Sequence, residues 1–246
     1  LNDNLALLIS TSGSTGSPKL VRQSISNLNH NTNSIIEYLN ISQKDISITT
    51  LPMSYVYGLS IINTHLNQGA SITLNNKSVI EKEFWNKIQK NRVTNFGGVP
   101  YTYSILEKIK LKNFNLSSLK YTTQAGGRIS KETTKSVLNE FNSLGIKLYL
   151  MYGAAEATAR MSYLPWQNIE KKIQSIGKAI PGGEFHLEDS EGKIIREINT
   201  HGELVYRGNN VCMGYAENFY DLMKADENKG TLKTGDIAYK DKDNFY

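Results

Sequence analysis

The 246 residues contain one cysteine, Cys212, so no disulfide can form within the chain. Cysteine usage this sparse favours a cytoplasmic setting. Histidine is scarce as well. His30, His65, His186 and His201 lie far apart, without the spacing of a metal-ligand set, and each reads as a surface or core residue. No run of about 18 apolar residues occurs, so no segment reads as a membrane-spanning helix. Charge of one sign is not concentrated either. The 28 basic and 23 acidic residues leave a formal charge of +5, and the basic ones are scattered. Lys108, Lys110 and Lys112 form the densest run and read as a solvated helix end. Nucleic acid is therefore not indicated as a partner, whereas a modest basic excess suits a site for small polyanions. The chain begins at Leu1, without Met, and stops at Tyr246 inside a strand-like pattern. Both ends look cut, so the lack of a targeting signal excludes little.

What is present is an alternation of strand and helix patterns. Leu5–Ile9 is a short apolar run of the kind expected for a strand buried on both faces. Ser24 can cap a helix carrying Leu28, Ile35, Ile36 and Leu39. Strands are expected over Ile46–Leu51, Ala70–Leu74, Val93–Phe96, Leu119–Thr123 and Lys147–Met151. Helices are expected over Gly58–Leu66, Val79–Gln89, Tyr101–Ile109 and Lys131–Leu144. The alternation predicts an α/β fold, a layered and mainly parallel sheet flanked by helices. After about Pro165 the texture changes. Ile176–Leu187, Lys193–Ile198, Gly202–Arg207 and Thr231–Tyr239 are short strand candidates broken by Gly, Asn and Asp turns. They predict a small β-rich, barrel-like subdomain. The expected division is residues 1–168 for the α/β part and 169–246 for the β-rich part, with Pro165–Lys172 as linker.

The sharpest local feature is Thr11-Ser12-Gly13-Ser14-Thr15-Gly16-Ser17-Pro18-Lys19. Glycines allow consecutive backbone N–H groups to converge on one anion. Five hydroxyls add donors that rotate to meet phosphate oxygens, and Lys19 adds a full positive charge. A plain Gly/Ser linker is the other reading, and the apolar runs on both sides, Leu5–Ile9 and Leu20–Val21, count against it. A Walker loop is a poor match. It requires Lys-Ser or Lys-Thr directly after its second glycine, whereas here Ser17-Pro18 intervene and Leu20 follows the lysine.

The segment resembles the phosphate-binding signature of the acyl-adenylate-forming (AMP-binding) superfamily, which comprises acyl-CoA synthetases, peptide-synthetase adenylation domains and luciferases. Four further segments resemble the family in the same order. Leu51-Pro52-Met53-Ser54-Tyr55-Val56-Tyr57-Gly58 is similar to the segment that places an aromatic ring beside the acid, with Tyr55 at that position. Gln124-Ala125-Gly126-Gly127-Arg128 resembles the adenine-binding turn. Met151-Tyr152-Gly153-Ala154-Ala155-Glu156 resembles the Tyr-Gly-x-Thr-Glu motif, and Leu232-Lys233-Thr234-Gly235-Asp236 carries the Thr-Gly-Asp signature. Gly202-Glu203-Leu204 and the stretch from Gly208 to Gly214-Tyr215 are similar to the strand before that signature. Asp241–Tyr246 is similar to the turn after it, with Asn244 where the family has glycine. Alone, each of these has a plainer reading: a core tyrosine, a strand-to-helix turn, a surface glutamate, a Gly-Asp turn. Five in register are not plausibly chance.

The resemblance implies an AMP-forming acid–thiol ligase that uses ATP and Mg²⁺. It assigns Thr11, Ser12, Gly13, Ser14, Thr15, Gly16 and Lys19 to the phosphates, with Thr15, Lys19 and Glu156 as catalytic groups. Tyr152, Gly153, Gly126, Gly127 and Arg128 go to adenine, Ala155 to the α-phosphate, Asp236 to the ribose hydroxyls and Glu156 to the metal. Tyr55, Val56, Tyr57, Ser60, Gly98, Ala125 and Met151 become the acid pocket. Coenzyme A or the pantetheine arm of an acyl carrier protein would be the acceptor. Two departures matter. Val56 stands where amino-acid-activating members often carry an aspartate, and an apolar side chain cannot stabilise a buried ammonium, so a fatty, aryl or other amine-free acid fits better. Ala155 stands in place of the family threonine, whose hydroxyl donates to the α-phosphate. Losing one preorganised donor costs roughly 2.7–4 kcal/mol. The family also has a long stretch before Leu1 and, after Tyr246, a small C-terminal domain with the adenylation lysine. The 246 residues by themselves are thus expected to adenylate poorly. Three rival readings stay open: a degenerate, non-catalytic nucleotide-binding domain, a phosphate-loop ATPase or kinase, and a protein-interaction module.

Overall fold

The structure is a computed structural model that describes residues 1–10 and 19–246. The phosphate-loop residues Thr11, Ser12, Gly13, Ser14, Thr15 and Gly16 therefore lie outside the described residues. In chain order the strands and helices are β1 (Leu5–Ser10), β2 (Leu20–Ser24), α1 (Ile25–Leu39), β3 (Ile46–Ile48), α2 (Val56–Asn67), β4 (Ser71–Thr73), α3 (Lys82–Lys90), β5 (Asn95–Gly98), α4 (Pro100–Leu106), β6 (Tyr121–Gln124), α5 (Lys131–Leu144), β7 (Lys147–Tyr152), β8 (Ser162–Leu164), β9 (Lys178–Ala179), β10 (Gly183–Glu188), β11 (Ile194–Ile195), β12 (Gly202–Gly208), β13 (Tyr215–Ala216) and β14 (Thr231–Ala238). No helix among the described residues is long and apolar enough to cross a membrane.

By contact the chain groups into two units. Unit 1 comprises 1–38, 153–162 and 178–246, and unit 2 comprises 39–152 and 163–177. This grouping follows a different line from a single cut near residue 168, because the chain leaves unit 1 and returns to it.

Unit 2 is the α/β body. Its strands run parallel in the order β4-β3-β5-β6-β7. Parallel neighbours need a crossover, and α2, α3, α4 and α5 supply one between each successive pair of strands. β5 and β6 are buried along their full length, as expected when helices cover both faces. The helix α5 shows how sequence sets an element. The Ser130 hydroxyl accepts the Thr133 N–H at its start, and Gly145, at φ 70°, ends it in the left-handed region. Between α3 and the sheet, Trp85 stacks on Phe114 with ring centroids 5.0 Å apart, while Phe84 meets Phe96 edge-on.

Unit 1 is mostly antiparallel. One sheet has the order β1-β2-β13 and another β11-β10-β12-β14. The second has β11 and β14 at its edges, and both sheets are built of the short strands expected of a β-rich subdomain. The expectation for Leu5–Ile9 needs correction. β1 is an antiparallel edge strand on which only Ile9 is buried. Helix α1 begins where Ser24 predicts: Ser24 Oγ accepts the Asn27 N–H at 3.0 Å, and Asn27 Oδ1 accepts the Ser24 N–H at 2.9 Å.

Candidate active site

The carboxyl ends of parallel strands are where α/β sheets place ligands. In unit 2 those ends carry Gly97-Gly98 on β5, Gln124-Ala125-Gly126 after β6 and Met151-Tyr152 on β7. Tyr55 precedes α2, and its hydroxyl lies against Gly126: a β-carbon added there would stand 2.6 Å from Tyr55 Oη. Gly126 has φ 81° and Gly127 φ 148°, both glycine-favouring. Gln124 Nε2 donates to Gly127 O at 2.9 Å and closes the turn, while Arg128 is exposed beyond it. Tyr57 is buried. Its Oη lies 2.8 Å from Thr123 O and 2.7 Å from Thr123 Oγ1, and it fills the space over Gly97. Val56, Ser60, Ala125 and Met151 are buried, Gly98 is packed on Thr102 and Tyr103, and Tyr152 is half-buried. Ser60 spends its hydroxyl inside the helix on Tyr57 O, at 2.7 Å. Of the candidate residues in this half, Tyr55, Gly126, Gly127 and Arg128 are exposed. Burial raises the Tyr55 phenol above its ordinary range, so it stays neutral.

Unit 1 holds Lys19, Glu156 and Asp236. Gly153 is forced by close approach, since a β-carbon there would collide with the Ala159 carbonyl. The chain then makes a turn of 3₁₀ helix over Ala155–Ala157 and passes through Thr158 at φ 59° and Ala159 at φ 117°. Non-glycine residues in such conformations cost about 1–3 kcal/mol each and persist only where the surroundings fix them. Here the fixing is visible. Thr158 Oγ1 donates to Asn210 O at 2.6 Å, and Asn210 Nδ2 donates to Ala157 O at 2.7 Å and Arg160 O at 3.1 Å. Cys212 N donates to Glu156 O at 2.7 Å, and Gln23 Nε2 donates to Ala155 O at 2.9 Å.

The Glu156 side chain meets Tyr215, whose Oη donates to Oε1 at 2.8 Å. Lys19 sits beside the same tyrosine. Its Nζ is 5.8 Å from the Tyr215 ring centroid and 2.8 Å from Glu217 Oε1. Two residues far apart in sequence, Lys19 and Glu156, thus share one neighbour. Asp236 lies in the same unit, on β14. In the pairing of β12 with β14, Glu203 faces Ile237 and Val205 faces Lys233, so Thr234, Gly235 and Asp236 stand opposite Leu204 alone. This bulge is built by Gly235 at φ 74° and by Thr234 Oγ1 donating to Leu204 O at 2.7 Å, and it presents Asp236 at the surface. Asn244 has φ 61°, the left-handed conformation a glycine would take there.

A family model described as AMP-binding enzyme matches residues 1–216. The chain belongs to the AMP-binding enzyme family. Among curated relatives, a 2-succinylbenzoate–CoA ligase of Bacillus pumilus is 30% identical, the match covering 98% of this chain and 47% of the relative. A luciferin 4-monooxygenase of Luciola mingrelica is 28% identical, over 99% of this chain and 44% of the relative. Among solved structures, the o-succinylbenzoate CoA synthetase of Bacillus subtilis in complex with ATP and magnesium superposes with a TM-score of 0.84 at 27% identity, covering 100% of this chain and 50% of that one. The chain therefore spans about half the length of the relatives it matches. The α/β fold is that of the N-terminal region of these enzymes.

Magnesium takes oxygen donors, and the described residues fit part of such a set. Glu156 has Oε1 held by Tyr215, and its Oε2 accepts no hydrogen bond among the described residues. No group of three or more His, Cys, Asp or Glu that could hold a metal occurs among the described residues. Glu156 would accordingly be the protein's contribution, with phosphate oxygens and water as the other ligands.

Sequence reasoning alone did not single out Gln23, Thr158 or Asn210, which organise the loop around Glu156, or Arg22, which holds the segment from Met213 to Glu227, and it gave Tyr215 no role. None of these positions carries a local signal. Each acts on a residue more than 50 positions away.

Proposed function

We propose that the protein activates a carboxylic acid as an acyl-AMP and passes the acyl group to a thiol. The observation that carries this reading is the Lys19–Tyr215–Glu156 arrangement, which sets a cation from the phosphate-loop motif and a carboxylate from the Tyr-Gly-x-Thr-Glu motif around one ring. In the reaction an acid oxygen attacks the α-phosphorus of ATP, an O–P bond forms, and the bond to pyrophosphate breaks. The mixed anhydride is then open to a thiolate, which displaces AMP. Such a step is mainly positioning and charge neutralisation. Lys19 and the hydroxyls of Thr11–Gly16, Thr15 among them, neutralise the leaving phosphates. Glu156 holds magnesium, which when bound screens the phosphate charge. Tyr152, Gly126, Gly127 and Arg128 receive adenine, and the bulged Asp236 receives the ribose hydroxyls. Tyr55, Val56 and their neighbours receive the acid, and Val56 favours one without an amine. The acceptor is coenzyme A or a carrier-protein pantetheine. We place the protein in the cytoplasm, where its single thiol, Cys212, buried and free, is stable.

Ala155 favours a second reading, a nucleotide-binding domain that has lost the chemistry. One assay separates the two: acid-dependent ATP–pyrophosphate exchange by the complete gene product over a panel of amine-free acids. Exchange is expected, falling roughly 100-fold in Glu156→Gln and rising in Ala155→Thr. Silence from both the natural protein and Ala155→Thr, with AMP still bound, would establish the second reading. Release of orthophosphate in place of pyrophosphate would replace both with an ATPase.

A further inference from the structure

We propose that Tyr215 is a positioning residue for the Glu156 carboxylate, holding Oε1 so that Oε2 is the oxygen offered to a cation. The inference rests on the functional reading of Glu156 given above. It goes further in naming a residue that the motifs leave without a role.

Three observations converge on it. The Tyr215 hydroxyl donates to Oε1 at 2.8 Å, which leaves one carboxylate oxygen free of hydrogen bonds among the described residues. The main chain of the tyrosine is itself anchored. β13 pairs with β2, with Tyr215 opposite Val21, and the buried Arg22 side chain donates from Nε to Tyr215 O at 3.1 Å. The segment bearing the tyrosine also grips the main chain of its target through Cys212 N to Glu156 O. Side chain and backbone of Glu156 are therefore both referenced to residues 212–215. A ligand carboxylate oriented in this way loses no rotamer freedom on meeting a cation, and such outer partners are worth tenfold or more in metal affinity. The ring has a second consequence. It stands beside Lys19, whose ammonium is taken by Glu217 and not by Glu156. A direct Lys19–Glu156 pair would quench both groups before nucleotide arrives.

The test uses the complete gene product without acid, so that no turnover occurs. ATP binding is followed as magnesium is titrated, and AMP binding is measured in magnesium-free buffer. In Tyr215→Phe the ring remains and only the hydroxyl is lost. Half-saturating magnesium should rise about tenfold, with AMP affinity unchanged. In a Glu156→Gln background the same change should add less than about twofold, because the two residues act through one oxygen. An unchanged magnesium requirement in Tyr215→Phe overturns the inference. So does equal weakening of AMP and magnesium–ATP, or a full tenfold effect on top of Glu156→Gln. If Glu156→Gln itself leaves the magnesium dependence unaltered, the assignment of Glu156 fails first and this inference falls with it.

Discussion

Unit 2 and unit 1 are packed from different materials. In unit 2 the largest fully buried side chains are Trp85, Tyr103, Phe84, Phe96 and Phe141. In unit 1 they include Arg22 and Arg160 beside Tyr206. The first set gains mainly from burial, which has no direction, with one hydrogen bond each from Trp85 Nε1 to Val79 O and from Tyr103 Oη to Thr123 O. The second must satisfy buried donors, and so it dictates where particular carbonyls lie. The difference tracks the residues each unit carries. The aromatic and glycine surfaces of unit 2 need only a firm floor of parallel strands. Lys19, Glu156 and Asp236 in unit 1 need their loops held in specific shapes, at positive φ near Glu156 and in a bulge at Asp236. Directional polar packing does that.

Truncation within the apolar set should give the largest loss. Trp85 is 1% exposed, contacts Phe84, Phe96 and Phe114, and donates Nε1 to Val79 O at 2.8 Å. Trp85→Ala is expected to cost about 3–5 kcal/mol, read as a lower denaturant midpoint. If the loss were below 1 kcal/mol, unit 2 would not depend on this cluster and the contrast would lose its first term.

Arg22 tests the other term. It donates from Nη1 to Lys224 O, from Nη2 to Met213 O and Ala225 O, and from Nη2 to Glu227 Oε2 at 2.6 Å, besides its bond to Tyr215 O. Arg22→Met keeps the length and the burial but removes every donor, and orphaned acceptors should cost about 2–3 kcal/mol. Arg22→Lys should not restore this, because one ammonium cannot reproduce a planar fork. Unit 2 should tolerate apolar swaps of similar volume far better. Wild-type stability in both Arg22 variants, measured by the same denaturant titration, would abolish the distinction between the units.

The contrast also explains what could be read from the residues. Helix α5 follows its pattern because Ser130, the apolar spacing and Gly145 are local signals, and the parallel order of unit 2 follows from alternating patterns. Gly153 was quoted as a motif residue, and the structure supplies its reason in the Ala159 carbonyl. The partial burial of β1 was not readable, because how far an apolar run is covered depends on parts of the chain far from it. Nor were Thr158 and Ala159, whose conformations are imposed by Asn210 some 50 residues on and leave no mark in their own identity. The bulge at Thr234–Asp236 was half visible: Gly235 announces a turn, but only the pairing with β12 shows that three residues face one.

The smallest expected effect concerns a single carboxylate in each unit, and pH separates it from packing. Asp221 in unit 1 accepts the Glu217 N–H at 2.8 Å and the Asn218 N–H at 3.1 Å, and it pairs with Lys224 at 2.9 Å. The Glu217 N–H, then Lys224, then Asn218 hold its pKa down to about 2, against a partial opposition from burial. Asp45 in unit 2 works against a larger burial penalty, yet Lys120 and Ser42 still keep it below the ordinary range. A depressed carboxylate stabilises the fold fully above its unfolded value of about 3.9, and the contribution disappears as pH falls through the folded value. Asp221→Asn should therefore lower the urea midpoint at pH 7, with the deficit shrinking from about pH 4 and vanishing near pH 2. Asp45→Asn should behave in the same direction, and because its environment is the drier one, some deficit should survive at low pH as lost hydrogen bonding. Parallel curves for Asp221→Asn and the natural protein across that range would mean that its charge does not hold the segment bearing Glu217, and that polar fixation in unit 1 is weaker than its geometry indicates.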